Sequence, residues 1–310
     1  MSKAQITNKI LMIRPANFGF NAETATSNSF QAADGNIAAA EIAKMAIEEF
    51  DNVLAELLRR NVDVFTVEDT PEPVKPDAVF PNNWISFHEG GQLVVYPMMS
   101  RSRRQEIRED IIEGLQSIFR VNEVWRMDQA TPGENLEGTG SMVLDRANGI
   151  AYACRSMRTS EKLFKDFCQR FNFRPVMFDA YYTDGLPIYH TNVILALTKH
   201  AAIVCLEAIK DPSQAKQVRE ALSGSGKAVL EIDLKQVAQF AANMLQIEVP
   251  DSRPVLLMSE TALPTLSDGH LQTLKEESEI VSVSIPTIEK YGGGSIRCML
   301  AEIFSATRDP

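Results

Sequence analysis

Gly292 to Cys298, GGGSIRC, sets three glycines ahead of a lone cysteine near the end of a 310-residue sequence. Consecutive glycines give up backbone entropy and suit places where the chain needs positive φ or a close approach. A thiol held on such a loop can act as a nucleophile. The bland alternative is a tight turn before a final strand, with Cys298 packed as a small apolar group. The other cysteines, Cys154, Cys168 and Cys205, lie in apolar strand or helix patterns and read as core. His88, His200 and His270 fall by turns or at a helix start, lack metal-ligand spacing and read as solvent-facing. The SGSGKA stretch lacks the Walker spacing and a hydroxyl after Lys227, so it is no phosphate loop. Neither a metal nor an organic cofactor is expected.

The elements that must position Cys298 emerge from a repeat. WISFHEGGQLVVYPM alternates as strand, Gly-Gly turn, strand; an Arg-rich amphipathic helix from about Arg101 to Phe119 and the strand NEVWRM follow. The order recurs as the hairpin SMVLDRANGIAYACR, the helix SEKLFKDFCQRFN and the strand RPVMFDA. It recurs again as NVILALTKHAAIVCLEAI, PSQAKQVREALSG and KAVLEI. A looser copy has the hairpin MLQIEVPDSRPVLLMS, a helix from Ala262 to Glu277 and the strand EIVSVSI. In the fifth, CMLAEIF at the C-terminus pairs with KILMIRP at the N-terminus. A helix from about Asn36 to Asn61 and the strand VDVFTV complete it. Five ββαβ units closed end to end leave no free sheet edge between the termini. Closure also brings the residues just before each hairpin to one central face. These are Asn82 and Asn83, Glu137, His190, Asn243 and Cys298.

Composition bounds the rest. Hydrophobic residues make up 45% and charged residues 23%, the balance of a globular protein with a sizeable core. The net charge of −10 argues against nucleic acid or an anionic membrane as partner. MSKAQITNKILMIRP is too short in its apolar run for a signal peptide or a membrane span. Unpaired cysteines suit a reducing, cytoplasmic setting. The loop DTPEPVKPDAVFPNN, with prolines at 71, 73, 76 and 81, excludes regular structure but is no free linker, so residues 1–310 read as one domain. The sequence leaves room for a homodimer.

LEGTGS, YHTNV, DAVFPNNW and GGGSIRC, in that combination, resemble the pentein superfamily of guanidino-modifying enzymes. The resemblance covers essentially the whole chain and implies a five-bladed α/β propeller, the architecture the repeats suggest on their own. MIRPANFGFNAETATSNSFQ is similar to the citrulline utilization hydrolase (citrulline ureidase) branch. The resemblance implies Cys298 as nucleophile, His190 as general acid/base and Glu137 as the acid of the family's Glu-Gly motif. SMRTS resembles the family's Ser-Glu-Arg-Thr stretch and nominates Arg158 for the substrate α-carboxylate. SRSRRQE nominates Arg103 for the same carboxylate, with Arg101 and Arg104 close enough to confuse the register. The chemistry needs these types: a thiol of reference pKa about 8.5 must be activated by an imidazole or a nearby cation.

Departures from the family pattern narrow the substrate. Arginine-processing members typically carry aspartate where this chain has Asn83 and Asn192, and Thr139-Gly140 replaces a Gly-Asp. A guanidinium offers only donors and needs counter-charge, whereas a ureido group has a carbonyl acceptor as well. Asn82, Asn83 and Asn192 therefore read as substrate-binding residues for a neutral ureido amino acid. The expected function is hydrolysis of citrulline to ornithine, ammonia and carbon dioxide. The alternatives are an arginine deiminase or dimethylarginine-type hydrolase and, of another class, a non-catalytic propeller used as a binding module. The last predicts loss of the central Cys, His and Glu, all of which are present.

Overall fold

Residues 3–33, 35, 37–129 and 133–308 are described by the structure, a computed structural model. Among them the strands form five three-stranded sheets, as the five repeats predict. Each has one antiparallel pair, a hairpin in four of the five, and a third strand that runs parallel to the middle one. Ile85–His88 pairs with Gln92–Val95, which pairs with Glu123–Arg126. Val143–Asp145, Ile150–Cys154 and Arg174–Phe178 form the next sheet, and Leu195–Leu197, Ala201–Val204 and Ala228–Glu231 the one after. Leu245–Ile247, Val255–Ser259 and Glu279–Val283 make the fourth. The chain ends share the fifth: Ala301–Glu302 runs antiparallel to Lys9–Arg14, which is parallel to Asp63–Glu68.

A parallel third strand cannot be reached by a tight turn and needs a crossover. One helix per repeat supplies it: Ala39–Leu58, Glu109–Ile118, Glu161–Phe171, Pro212–Gly224 and Asp268–Glu277. Local signals set their ends. The Ser160, Asp211 and Ser267 side chains accept N-terminal amides, and Asn172 closes its helix in the left-handed region at φ 55. Middle strands, covered on both faces, are continuous apolar runs; Ile150–Cys154 and Ala201–Val204 are buried throughout.

Three expected helices are shorter in the structure. The Arg-rich stretch breaks into Arg101–Arg104 and Glu109–Ile118, because Arg108 is extended at φ −116 and starts a second helix. Ala262 to Glu277 yields a single 3-10 turn at Leu263–Thr265, then the helix proper beginning after the Ser267 cap. The long helix spans Ala39–Leu58, and Asn36 lies outside the described residues. His88 also differs from expectation. It is buried, with Nε2 2.8 Å from the Ser86 hydroxyl, which in turn lies 2.6 Å from the Tyr96 hydroxyl.

Contacts divide the chain into two units. One comprises the N-terminal residues to Ile6, Thr139–Ser284 and Ser295–Arg297, and holds three of the sheets. The other comprises Thr7–Gly138, Ile285–Gly294 and the segment from Cys298, and holds the sheet shared by the chain ends and the Ile85–Arg126 sheet. The core of the latter gathers Leu11, Ile13, Phe87, Leu115, Phe119 and Ile303, with the Phe65 and Phe119 rings edge-to-face at 4.7 Å. Among the described residues no helix is long and apolar enough to cross a membrane.

The closing strand is held by core packing as well as by its ladder. Thr7 Oγ1 donates to the Ile303 carbonyl at 2.9 Å, and the Ile303 side chain is fully buried. Ile303→Ala is expected to cost about 2–5 kcal/mol in denaturant unfolding, the range for a buried Ile cut to Ala. A loss well under 1 kcal/mol would show that the C-terminal segment contributes little to the fold.

Candidate active site

A one-turn helix precedes the first strand in four of the five sheets: Pro81–Asn83, Gly138–Ser141, Thr191–Val193 and Ile296–Met299. These turns carry, or directly follow, the residues singled out by the sequence. In the fourth sheet Asn243 takes the same place before Leu245–Ile247. All of these polar residues are buried, Cys298 among them.

In the unit containing Cys298, the proline-rich loop delivers the Asn pair. The Lys75 ammonium is buried and donates to the Thr70 carbonyl, the Thr70 hydroxyl and the Pro73 carbonyl, which folds the loop onto itself. Pro81, already fixed in φ, opens the turn that buries Asn82 and Asn83. Gly138 follows Glu137 at φ +47, where an added Cβ would lie 2.3 Å from the Asn82 carbonyl oxygen. No other residue fits there. Glu137 Oε1 accepts from the Met99 amide at 3.0 Å.

The glycine run answers to the same sterics. A Cβ on Gly292 would meet the Phe80 ring at 2.8 Å, and one on Gly294 would meet Phe80 at 3.0 Å and the Cys298 Cβ at 3.3 Å. Gly293, at φ +63, lies against Asn28 and Gln31. The backbone thus passes directly over Phe80 on its way to Cys298. Gln31 Nε2 and Asn28 Nδ2 both donate to the Gly292 carbonyl, at 2.9 and 3.3 Å. Glu49 reaches from the long helix to accept from the Thr287 and Ile288 amides, capping the helix Pro286–Gly292 that leads into the glycines. Burial raises the Glu49 carboxyl above its ordinary range, against the pull of those amides.

Within its arginine-rich stretch Arg103 is buried while Arg101 and Arg104 are exposed. Its Nε and Nη2 donate to Glu106 Oε1 and Oε2, both at 2.9 Å, and its Nη1 donates to Asn83 Oδ1 at 2.7 Å. Asp77 lies 3.9 Å from Arg103 Nε and accepts from Asn21 Nδ2 and Thr24 Oγ1. Burial depresses the Arg103 guanidinium, but Glu106 and Asp77 outweigh it and hold the pKa above its ordinary value. Burial pushes the Glu106 carboxyl up, with Arg103 opposing. Glu106 and Asp77 escaped the sequence reading. The (i, i+3) spacing from Arg103 marked Glu106, and Asp77 opens the DAVFPNNW stretch. Glu23, whose carboxylate accepts from the Arg101 and Ser102 amides, fixes the start of the Arg103 turn and was missed as well.

The other unit presents His190, Asn192 and Arg158. Thr191 pins the turn between His190 and Asn192: its hydroxyl donates to the Ser141 carbonyl at 2.6 Å and accepts from the Cys154 amide at 2.8 Å. The Ser141 hydroxyl in turn donates to the Arg158 carbonyl. The Arg158 guanidinium lies 4.8 Å above the Tyr189 ring, and that ring is 4.8 Å from the His190 ring. Arg158, Tyr189 and His190 therefore form one contiguous group, the two rings tilted at 49°. Asn243 Oδ1 accepts from the Arg297 amide at 3.0 Å and so fixes the backbone just ahead of Cys298. Elsewhere, burial pushes the thiols of Cys154 and Cys168 up to about 12 and that of Cys205 up to about 11, as core cysteines require. Among the described residues no group of three or more His, Cys, Asp or Glu side chains is arranged to hold a metal ion.

Known proteins share this architecture. An AgrE mutant in complex with L-arginine superposes with a TM-score of 0.73 at 17% identity, over 97% of this chain and 41% of that one. The chain thus spans about two fifths of the AgrE chain. The N-terminal domain of ArgZ, an arginine dihydrolase from the ornithine-ammonia cycle in cyanobacteria, gives 0.72 at 16% identity, over 95% of this chain and 97% of that one. A dimethylarginine dimethylaminohydrolase, as its adduct with 4-chloro-2-hydroxymethylpyridine, gives 0.64 at 16% identity, over 98% and 100%. These likenesses show the pentein fold. No curated protein matches by sequence. Residues 14–305 match the family model described as N,N dimethylarginine dimethylhydrolase, eukaryotic. The match runs nearly from end to end, and the chain belongs to that family.

Proposed function

We propose that the protein is a cysteine-dependent hydrolase that cleaves the ureido group of citrulline, yielding ornithine, ammonia and carbon dioxide. One observation carries this reading: Asn83 and Asn192, neutral amides, are both buried at positions where arginine-processing pentein enzymes typically have carboxylates. A buried guanidinium without adjacent anions is costly, while a neutral urea is not.

In this reading the Cys298 thiolate attacks the ureido carbon and donors around the carbon steady the developing oxyanion. His190 protonates the departing ornithine nitrogen, leaving a thiocarbamate on Cys298. Water activated by His190 then cleaves the thiocarbamate. The carbamate released decays to ammonia and carbon dioxide, so one water is consumed per citrulline. Glu137 accepts from a substrate N–H, and Arg158 takes the α-carboxylate.

A second reading, a hydrolase of arginine or a methylated arginine, draws on different facts. Solved proteins of this fold include an arginine dihydrolase and a dimethylarginine dimethylaminohydrolase. Asp77 and Glu137 are also buried carboxylates near Arg103. They would supply a guanidinium with the anions that Asn83 and Asn192 do not.

Three measurements bear on this reading. Cys298→Ala and His190→Ala should each remove at least ~10³ of turnover while keeping the folded far-UV spectrum, since a nucleophile and its acid–base partner act as a unit. Full activity in Cys298→Ala removes the covalent route. Ammonia release from citrulline, arginine and methylarginine, assayed side by side, should give the highest kcat/KM for citrulline. Replacing Asn83 and Asn192 together by Asp should lower that value and tighten arginine binding, because a carboxylate repels the ureido oxygen and attracts a cation. A wild type that prefers arginine, or a double variant with unchanged selectivity, assigns the protein to the guanidino hydrolases.

A further inference from the structure

The orientation of Asn83 is fixed by chemistry. A guanidinium has no acceptor atom, so the Asn83 atom lying 2.7 Å from Arg103 Nη1 is the carbonyl oxygen, Oδ1. Turning the amide over would set N–H against N–H. The Asn83 Nδ2 group therefore points away from Arg103, and it is buried with no hydrogen-bond partner among the described residues. Arg103 cannot drift from this contact. Its Nε and Nη2 grip both oxygens of Glu106 at 2.9 Å, and Nη2 also reaches the Phe80 carbonyl at 3.3 Å. Bidentate pairing of this kind fixes the plane of the guanidinium.

We propose that Arg103 is a positioning residue that locks Asn83 as a hydrogen-bond donor, aimed at the carbonyl oxygen of a ureido substrate. The proposal rests on the ureido reading above and gives it a mechanism. A free asparagine serves donors and acceptors alike by flipping its amide. Held by Arg103, Asn83 offers only N–H, which suits a urea oxygen or the oxyanion formed from it and opposes a guanidinium. Arg103 is then not the group that takes the substrate α-carboxylate, the role expected for it from the sequence. Glu106 already compensates its charge at 2.9 Å, with Asp77 another anion 3.9 Å away.

A double variant, Arg103→Met with Glu106→Gln, removes both members of the close pair and leaves Asp77, 3.9 Å from Arg103, with its bonds from Asn21 and Thr24. Its folding is checked by thermal denaturation, and kcat/KM is measured on citrulline and on the matching ureido compound that lacks the α-carboxylate. Both values are expected to fall by the same factor, about 10–100-fold, with most of the loss in kcat on citrulline. Adding Asn83→Ala to the double variant is expected to lower activity less than twofold further, since the two changes interrupt one interaction. If the double variant does not fold, Arg103→Lys keeps the charge opposite Glu106 but loses the forked reach to Asn83. It is expected to show the same loss on both compounds.

A loss confined to citrulline, sparing the compound without a carboxylate, overturns the proposal and returns Arg103 to carboxylate binding. Losses that multiply with Asn83→Ala overturn it as well. A wild type that turns over arginine and its decarboxylated counterpart but neither ureido compound refutes the ureido reading and the donor-to-carbonyl assignment together. In that case an equal loss across the two guanidino compounds still supports positioning by Arg103, and a loss on arginine alone overturns it.

Discussion

A polar group taken out of water must find a partner, and this constraint shapes the stretch of chain ahead of each sheet's first strand. The sheets themselves satisfy their backbone by pairing, but a one-turn helix leaves most of its amides and carbonyls without intrahelical partners. Side chains from elsewhere in the same unit meet that need at these turns and at the short helices and strand ends near them. Thr191 takes up the Ser141 carbonyl and the Cys154 amide, Glu23 the Arg101 and Ser102 amides, and Glu49 the Thr287 and Ile288 amides. Asn243 does the same for Arg297. Each of these bonds joins residues distant in sequence, so the turns that carry candidate chemistry are fixed by the fold and do not hang as loops. A site on such supports is preorganised.

That division of labour explains what could be read from the sequence. Sheets depend on local period and on ends that match, so the ββαβ order, the crossover helices and the pairing of KILMIRP with CMLAEIF were legible residue by residue. The candidate residues were legible too, in the sense that Glu137, His190 and Cys298 stand at equivalent points of a repeat. The supports were not. Nothing in the spacing of Glu23, Asn28, Gln31 or Glu49 tells which amide or carbonyl each will meet, because the partners lie 78 residues away for Glu23 and 238 for Glu49. The helix break after Arg104 was missed for a related reason. The stretch has helical composition, and the extended backbone at Arg108 interrupts it, with Arg103 and Glu106 turned inward just before the break. His88 misled for a simpler cause: a histidine beside a Gly-Gly turn reads as exposed, but it sits on a strand whose residues are all buried.

Arg103 shows why charges resist reading one at a time. In the sequence it is one cation among several in SRSRRQEIRED, available to any anion. In the structure Glu106 holds it with two bonds and Asn83 with a third, so little of that charge is left to attract a substrate carboxylate. Arg158 is in a different position. It lies over the Tyr189 ring, 4.8 Å away, beside His190. Two arginines of similar burial thus have unlike neighbours, which their places in the sequence do not distinguish.

The substrate question turns on the same neighbours. Removing nitrogen from a guanidino carbon and putting oxygen in its place generates a ureido carbon, so an enzyme that stops there releases a ureido amino acid as its product. The two candidate readings share attack of a thiolate on the central carbon and part company at the first encounter, when the group is either a cation rich in donors or a neutral urea with an acceptor oxygen. An amide free to turn could meet both in succession. Asn83 is not free to turn: Arg103 claims its oxygen, and Glu106 holds Arg103 in place. With its N–H as the only face left to offer, Asn83 favours the oxygen-bearing group from the start, and the buried carboxylates Asp77 and Glu137 are left as the groups that would have to receive a guanidinium. Asp77 is already engaged by Asn21 and Thr24, and Glu137 by the Met99 amide. A urea oxygen at Asn83 Nδ2 would take up a buried donor that has no partner among the described residues and would leave the bonds of both carboxylates as they are.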